Sequence, residues 1–353
     1  MTHADVASSA SDRDRPAPTD PPERTPVGAA SHSARRRTVD LLLHFGLLPV
    51  LLLVAVVTFS LIEPRFLTPL NGTNVSRQLS FLLIVTIGQM LVLLTAEIDM
   101  SVGATIALTS VVSSKVMTHV GGDGAGVLLL GVAAGLVVGL VVGLLNGLVV
   151  ARFKVPSFIV TIGTSSVAVG VALLVSKGSP VTGLPPDFTR VLGTAQVAGV
   201  PVSFVVALGV VALVYVLLSW SVLGHYLFAV GGGEDAARLV GVPVLRTKVT
   251  AFVLCSMLTS LAGVLLTARV SSGQPTLGQE YVILAIAAAV LGGTSFFGGE
   301  GRLGLVAVGA LLLVVLSNGM NLIRVPSYTQ QVVLGSLLIA AVIIDRLRAR
   351  AAW

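Results

Sequence analysis

Apolar runs about twenty residues long, separated by short clumps of charge, fill the chain from about residue 41 to residue 344, and roughly 20 such residues is the length a helix needs to cross a bilayer core. No other feature limits the fold as strongly. The chain is 54% hydrophobic and 11% charged, with a mean hydropathy of +0.97, where soluble domains carry about 25% charged residues. A water-soluble globule has no way to bury that much apolar surface. The runs are continuous and do not alternate with polar residues, which excludes an outer-membrane barrel. A soluble enzyme and a nucleic-acid-binding domain are excluded as well, since 12 Phe, 4 Tyr and 2 Trp offer few platforms for stacking bases. The fold class expected is an all-α polytopic membrane protein, and the net charge of +6 bears on its orientation.

Residues 1 to about 38 differ from the rest, with Asp12 to Arg15 followed by a proline-rich stretch. They have too little apolar surface to offset ordering entropy and are expected to form a disordered cytoplasmic tail. No apolar stretch of signal-peptide type precedes Arg35, Arg36 and Arg37. The arginines are expected to hold the N-terminus in the cytoplasm. About ten spans follow, near 41–62, 78–96, 102–119, 126–150, 158–176, 200–220, 249–268, 281–293, 303–322 and 327–344, of which the third and eighth are short. Alternation from a cytoplasmic start places Arg152, Lys154, Arg238, Arg246, Lys248, Arg302, Arg346, Arg348 and Arg350 inside. Fewer basic residues fall outside, which supports both termini being cytoplasmic.

Internal repetition is the next signal. Leu93-Leu94-Thr95-Ala96 recurs as Leu265-Leu266-Thr267-Ala268, and Asn146-Gly147 as Asn318-Gly319, both 172 residues on; Val155-Pro156-Ser157-Phe158 recurs as Val325-Pro326-Ser327-Tyr328, 170 residues on. Spans 2–5 and 7–10 therefore read as two copies. Five spans separate their starts, so the copies run in opposite senses, an inverted repeat of the kind transporters use.

The polar residues within this frame are few. The glycine-rich pieces at 121–124 and 298–301 lack the lysine and hydroxyl of a phosphate loop. Nor is there a His-Glu-x-x-His or Cys/His cluster; the expectation is no catalytic centre and no metal site. The single cysteine, Cys255, lies in an apolar run. Glu97, Asp99 and Ser101 stand between spans 2 and 3, where ionisable groups are costly. Asp99 or Ser101 either caps span 3, or the group lines a transport path or gate. Asn146 and Asn318 either bond across helices or meet solute, with helix packing the commoner use. Glycines at 131, 135, 139, 143 and 147 make a stripe suited to a close helix contact. In the loop 221–248, Glu234, Asp235, Ala236, Ala237, Arg238 and Leu239 read as a short helix stopped by Gly241 and Pro243. Acids at its start and an arginine near its end complement the helix dipole. It is either an ordinary loop element or a plug for a cytoplasmic partner.

The run Thr95 to Gly103, the loop Phe228 to Val242, Ala285 to Ser295 and Ser317-Asn318-Gly319-Met320-Asn321-Leu322 resemble the ribose/xylose-type permeases of bacterial ABC sugar importers. The resemblance covers about residues 41–348. It implies a permease domain over 39–348 that pairs with a second copy or paralogue in the inner membrane. A cytoplasmic ATPase would dock on the loop segment Glu234 to Gly241, and an extracytoplasmic binding protein would deliver solute. The resemblance further implies that the chain binds no cofactor, ATP and Mg being used by the partner ATPase. Asn321 joins the candidate path residues. Two departures stand out: Tyr281-Val282-Ile283-Leu284 replaces the Tyr-Glu-Leu-Asp of many relatives, and Gly233 stands where Asn is usual. The function expected is transport of a monosaccharide or sugar-like solute, the rival being an ion-coupled carrier in which Glu97 and Asp99 do the coupling.

Overall fold

Long stretches of Leu, Val and Ala propagate helix, and glycine, proline and hydroxyl residues mark where each helix starts or stops. The computed structural model describes residues 48–351, with side chains as far as residue 343, in one compact unit. The tail expected over 1–38, Arg35 to Arg37, the opening residues of the first span and the side chains of Arg346, Arg348 and Arg350 lie outside the described residues. The helices are α1 Leu48–Ile62, α2 Pro69–Leu93, α3 Val102–Val120, α4 Ala125–Phe153, α5 Ser157–Ser176 and α6 Val202–Trp220, then α7 Val222–Gly232, α8 Glu234–Leu239, α9 Val244–Val270, α10 Tyr281–Leu291, α11 Leu303–Leu322 and α12 Ser327–Ala351. Between α5 and α6 stand a single helical turn and a hairpin of β1 Gln196–Val197 and β2 Val200–Pro201.

The boundaries have local causes. Thr68 caps α2 through its hydroxyl, which accepts from Asn71 N, and Pro69 follows at the first helical position. Ser221 caps α7 in the same way. That helix was not expected within the 221–248 loop. Among the described residues α2, α4, α5, α6, α9 and α11 have the length and composition to cross a membrane. The 11 residues of α10 extend only about 17 Å, short of the roughly 30 Å hydrocarbon core. The eighth expected span is thus a half-length helix.

The repeat is present element by element: α2 to α5 correspond in order to α9 to α12. The corner before α5 and that before α12 share a left-handed basic residue, Lys154 with φ 54° and Arg324 with φ 58°, each followed by Val-Pro-Ser. Direction comes from the two asparagines. Asn318 exchanges hydrogen bonds with Asn71 at the start of α2, whereas Asn146 donates to Ser101, beyond the end of α2. Equivalent residues therefore sit at opposite ends of the bundle, so the copies are inverted.

At the centre α9 packs against α2, α3 and α4. The glycine stripe of α4 faces it: a Cβ on Gly143 would stand 2.6 Å from Val253 Cα, and one on Gly147 2.8 Å from Val249 Cα. α5 and α6 bury few of their residues, as lipid-facing helices do. Gly143→Ala should therefore force α4 off α9 and cost about 1–3 kcal/mol. Gly163→Ala on α5, with nothing within 4 Å of its Cβ position, should be neutral or stabilising by up to about 1 kcal/mol. Thermal unfolding in detergent separates the two.

Candidate functional site

Three breaks between helices meet at the end of the bundle that carries α8. The first is the link 94–101 between α2 and α3, the second the turn between α7 and α8, the third the glycine-rich link 298–301 before α11. Contact between them is made by backbone. A side chain on Gly231 would collide with the Leu94 carbonyl, and Gly299 N donates to that same carbonyl at 3.1 Å. Gly298, at φ 88°, lies against Ala96, where an added Cβ would stand 2.7 Å from the alanine's own. The glycines that do not make a phosphate loop make this junction.

The link 94–101 is not helical and is buried at Leu94, Thr95, Asp99 and Ser101, so its inner peptide groups need partners from the protein. Ser157 Oγ accepts from Ile98 N at 3.1 Å and Thr161 Oγ1 from Met100 N at 3.0 Å. Gln89, in the amide orientation that satisfies both its ends, bonds the N–H and carbonyl of Asp99. Asp99, fully buried, accepts through Oδ1 from Ser101 N at 2.8 Å and Ser101 Oγ at 2.6 Å. Ser101 occupies the N-cap position of α3 without a side-chain capping bond. The Asp99 carboxylate thus supports the start of α3 from two residues ahead of the N-cap, by satisfying the amide of Ser101 itself. Asn146 Nδ2 completes the chain to Ser101 Oγ at 2.9 Å.

Charge joins this link to α8. Lys248 Nζ, on the first turns of α9, lies 2.7 Å from Glu97 Oε1 and 2.7 Å from Glu234 Oε2, and Glu234 Oε1 lies 2.7 Å from Arg238. Lys248 and Glu97 are largely buried, Glu234 about one third exposed. The hydrogen bond from Lys248 holds the Glu234 carboxyl below the usual glutamate range, against the opposing effect of partial burial.

α8 rests on Ala237, packed with Val230 and Val244, and turns its other face outward: Asp235, Ala236 and Arg238 are exposed, Leu239 is 88% exposed and Val240 79%. Gly241 follows at φ 84° and Pro243 stands at the N-cap position of α9. Glu97, Asp99, Ser101, Asn146 and the α8 residues are thus brought together. Asn318 is at the opposite end, paired with Asn71. Asn321, also at that end, lines a cavity between α2, α10, α11 and α12 whose wall is part polar and part apolar. Sequence reasoning missed Gln89, Ser157, Thr161 and the pairing of Lys248. A lysine four residues into a largely apolar helix was the available signal, since such a charge needs an acid nearby.

Asp99→Asn keeps an acceptor for Ser101 and should unfold within about 1 kcal/mol of wild type, whereas Asp99→Ala, which orphans buried donors, should cost about 1–3 kcal/mol. Lys248→Met leaves two acids facing an apolar group and should cost about 3 kcal/mol. Because the Glu234 carboxyl is depressed in the folded state, its contribution is present above the ordinary value of 4.5 and is lost as pH falls through the lowered value. Thermal unfolding followed downward from pH 4.5 should show that loss in wild type and little of it in Lys248→Met.

The family described as "Branched-chain amino acid transport system / permease component" matches residues 71–342. The ribose import permease protein RbsC of Bacillus subtilis (strain 168) is 39% identical over 297 residues, covering 84% of this chain and 90% of the relative. The protein of the same name from Escherichia coli (strain K12) is 40% identical over 305 residues, covering 85% and 92%. The L-arabinose transport system permease protein AraH of Escherichia coli (strain K12) is 36% identical over 308 residues, covering 87% and 92%.

Proposed function

The chain belongs to the branched-chain amino acid transport system / permease component family, and from that premise we propose that its α8 receives the stroke of a separate cytoplasmic ATPase. The protein is a multi-pass permease subunit of an ABC importer for a monosaccharide or sugar-like solute, and it performs no covalent chemistry. ATP and Mg belong to the partner. The observation that carries the docking reading is an apolar tip, Leu239 and Val240, held in the open on a helix whose base is tied into the bundle. Exposed apolar residues on a rigid support mark a protein contact. Acids at the start of α8 and Arg238 at its end support the helix without the partner.

The same ties give the docked helix a mechanical output. A displacement of α8 acts through Glu234 on Lys248 and from there on Glu97, while Gly231 bears directly on the Leu94 carbonyl. The link so displaced holds the start of α3 through Asp99 and touches α4 through Asn146. Alternating access then follows from ATP-driven closure of the partner, with solute released toward the α8 side. Glu97, the acid an ion-coupled carrier would need free, is engaged by Lys248.

On this reading the α8 end is cytoplasmic, both termini are cytoplasmic, and the membrane is the bacterial inner membrane. Arg152, Lys154, Arg238, Arg246 and Arg302 at that end support the orientation. A second copy or a paralogue completes the path, and an extracytoplasmic binding protein delivers solute to the opposite end. D-ribose is the first solute to try, given the names of the relatives.

Leu239→Asp tests the docking surface. It places a charge in the contact at a cost of several kcal/mol, so it should abolish co-purification of the ATPase and ATP-driven D-ribose uptake in reconstituted membranes. Full retention of both by a well-folded variant would remove α8 from the coupling role. Single cysteines in a Cys255→Ser background check the orientation: one at Gly233 should label only from the cytoplasmic side, one at Pro185 only from outside.

A further inference from the structure

We propose that the cavity between α2, α10, α11 and α12, with an amide-bearing wall facing an apolar one, is a monosaccharide-binding station on the transport path, an inference that rests on the sugar-permease reading. Its volume, about 460 Å3, falls within the roughly 300–1,000 Å3 of small-molecule sites. Gln78 of α2, Glu280 at the start of α10, Ser317 and Asn321 of α11, and Gln330 and Gln331 of α12 contribute its polar groups. An amide-rich face on helices of a membrane protein is expensive against lipid, where no partner for those groups exists. Such a face belongs to a solute-filled space.

The chemistry of the lining selects the class of solute. Amides and hydroxyls both donate and accept, which is what a polyol needs, and the phenol of Tyr281 and the hydroxyl of Ser327 add to them. No lysine or arginine lines the cavity, so an anionic solute finds no countercharge; one carboxylate, Glu280, is present. Leu82, Leu313, Val314 and Leu334 form an apolar wall suited to the C–H face of a sugar ring. The polar side chains are also set in advance. Gln330 Nε2 donates to Asn321 Oδ1 at 2.9 Å and to Val325 O at 2.8 Å, which commits both its hydrogens. Gln330 can then offer its oxygen, and Asn321 its Nδ2, as an acceptor and donor side by side.

Position agrees with the chemistry. The cavity lies between α2 of the first repeat and α10 to α12 of the second, the interface at which inverted-repeat transporters hold solute. It lies toward the end opposite α8, where delivered solute arrives first. The other groove on α10 and α12, toward the α8 end and bordered by Ile98, Phe158, Ile286 and Leu338, is lined by apolar side chains alone and offers a sugar nothing.

The test uses the full importer, permease with its ATPase and binding protein, in proteoliposomes, and radiolabelled D-ribose, L-arabinose and D-allose as probes. Asn321→Leu with Gln331→Leu should lower uptake at least tenfold while ATPase co-purification and basal ATP hydrolysis stay within twofold, and Gln331→Asn should retain uptake within threefold. Should the leucine variant fail to reach the membrane, Gln331→Cys in the Cys255→Ser chain replaces it. Modification by a small external thiosulfonate should then block uptake, and saturating sugar should slow the modification at least threefold. Wild-type uptake with an unaffected leucine variant, or complete modification with unchanged uptake, overturns the station alone. Failure of wild type to take up any of the three sugars overturns the sugar reading, and the station with it.

Discussion

Lipid offers a peptide group no hydrogen bond, so wherever this chain leaves the helix inside the bundle the protein must supply the missing partners. That requirement shapes the link between α2 and α3. Ser157, Thr161, Gln89 and Asp99 each satisfy a backbone group of the link or of the α3 start, and they come from α2, α5 and the link itself. A helix break satisfied from several elements cannot shift alone. The link is therefore tied to the helices around it by hydrogen bonds whose loss costs about 1–3 kcal/mol each when it leaves a buried group unpaired.

The inverted repeat puts one local sequence to two uses. Lys154 and Arg324 turn equivalent corners with the same left-handed backbone, because the Val-Pro that follows both prevents the preceding helix from continuing. Beyond the corner the copies diverge. Asn146 bonds a serine that an aspartate orients, at the α8 end, while Asn318 pairs reciprocally with Asn71 at the other. Both asparagines are buried and both bond across helices, Asn318 through both ends of its amide and Asn146 through Nδ2 alone, but only Asn146 belongs to the junction beneath α8.

Much of this was legible because it depends on local pattern. Helix positions follow from apolar run length, the α4 stripe from glycine spacing, and the repeat from matching tetrapeptides at one offset; all three survive in the structure. The α8 helix was legible from its acids, Gly241 and Pro243. What was not legible depends on distance in three dimensions. Lys248 and Glu97 are 151 residues apart, and nothing in either neighbourhood names the other. The short reach of α10 was legible in part, since the eighth apolar run is itself short and Gly292 and Gly293 end the helix. The cavity was hidden because Gln78, Asn321 and Gln331 stand on three different helices, and only packing gathers them.

The two links that the repeat makes equivalent face opposite tasks. The link between α2 and α3 lies under α8 and is pressed by Gly231 and held by Lys248. Its counterpart between α9 and α10 is fixed by the paired backbone of Val181 and Gly273, at 2.8 Å in both directions, and by Ser110 Oγ accepting from Gln274 N at 3.1 Å. It ends in Glu280 and Tyr281 at the cavity between α2, α10, α11 and α12. α9 carries Lys248 on its first turns and, near its other end, Thr267, which donates to Ser110 near the second link. One continuous helix thus connects the charge that holds α8 to the segment that borders the cavity, about 30 Å away along its axis at 1.5 Å per residue. A helix is stiff along its axis, and the glycine contacts of α4 leave α9 little room to bend. A tilt of α9 about that contact would move both of its ends, and with them both links.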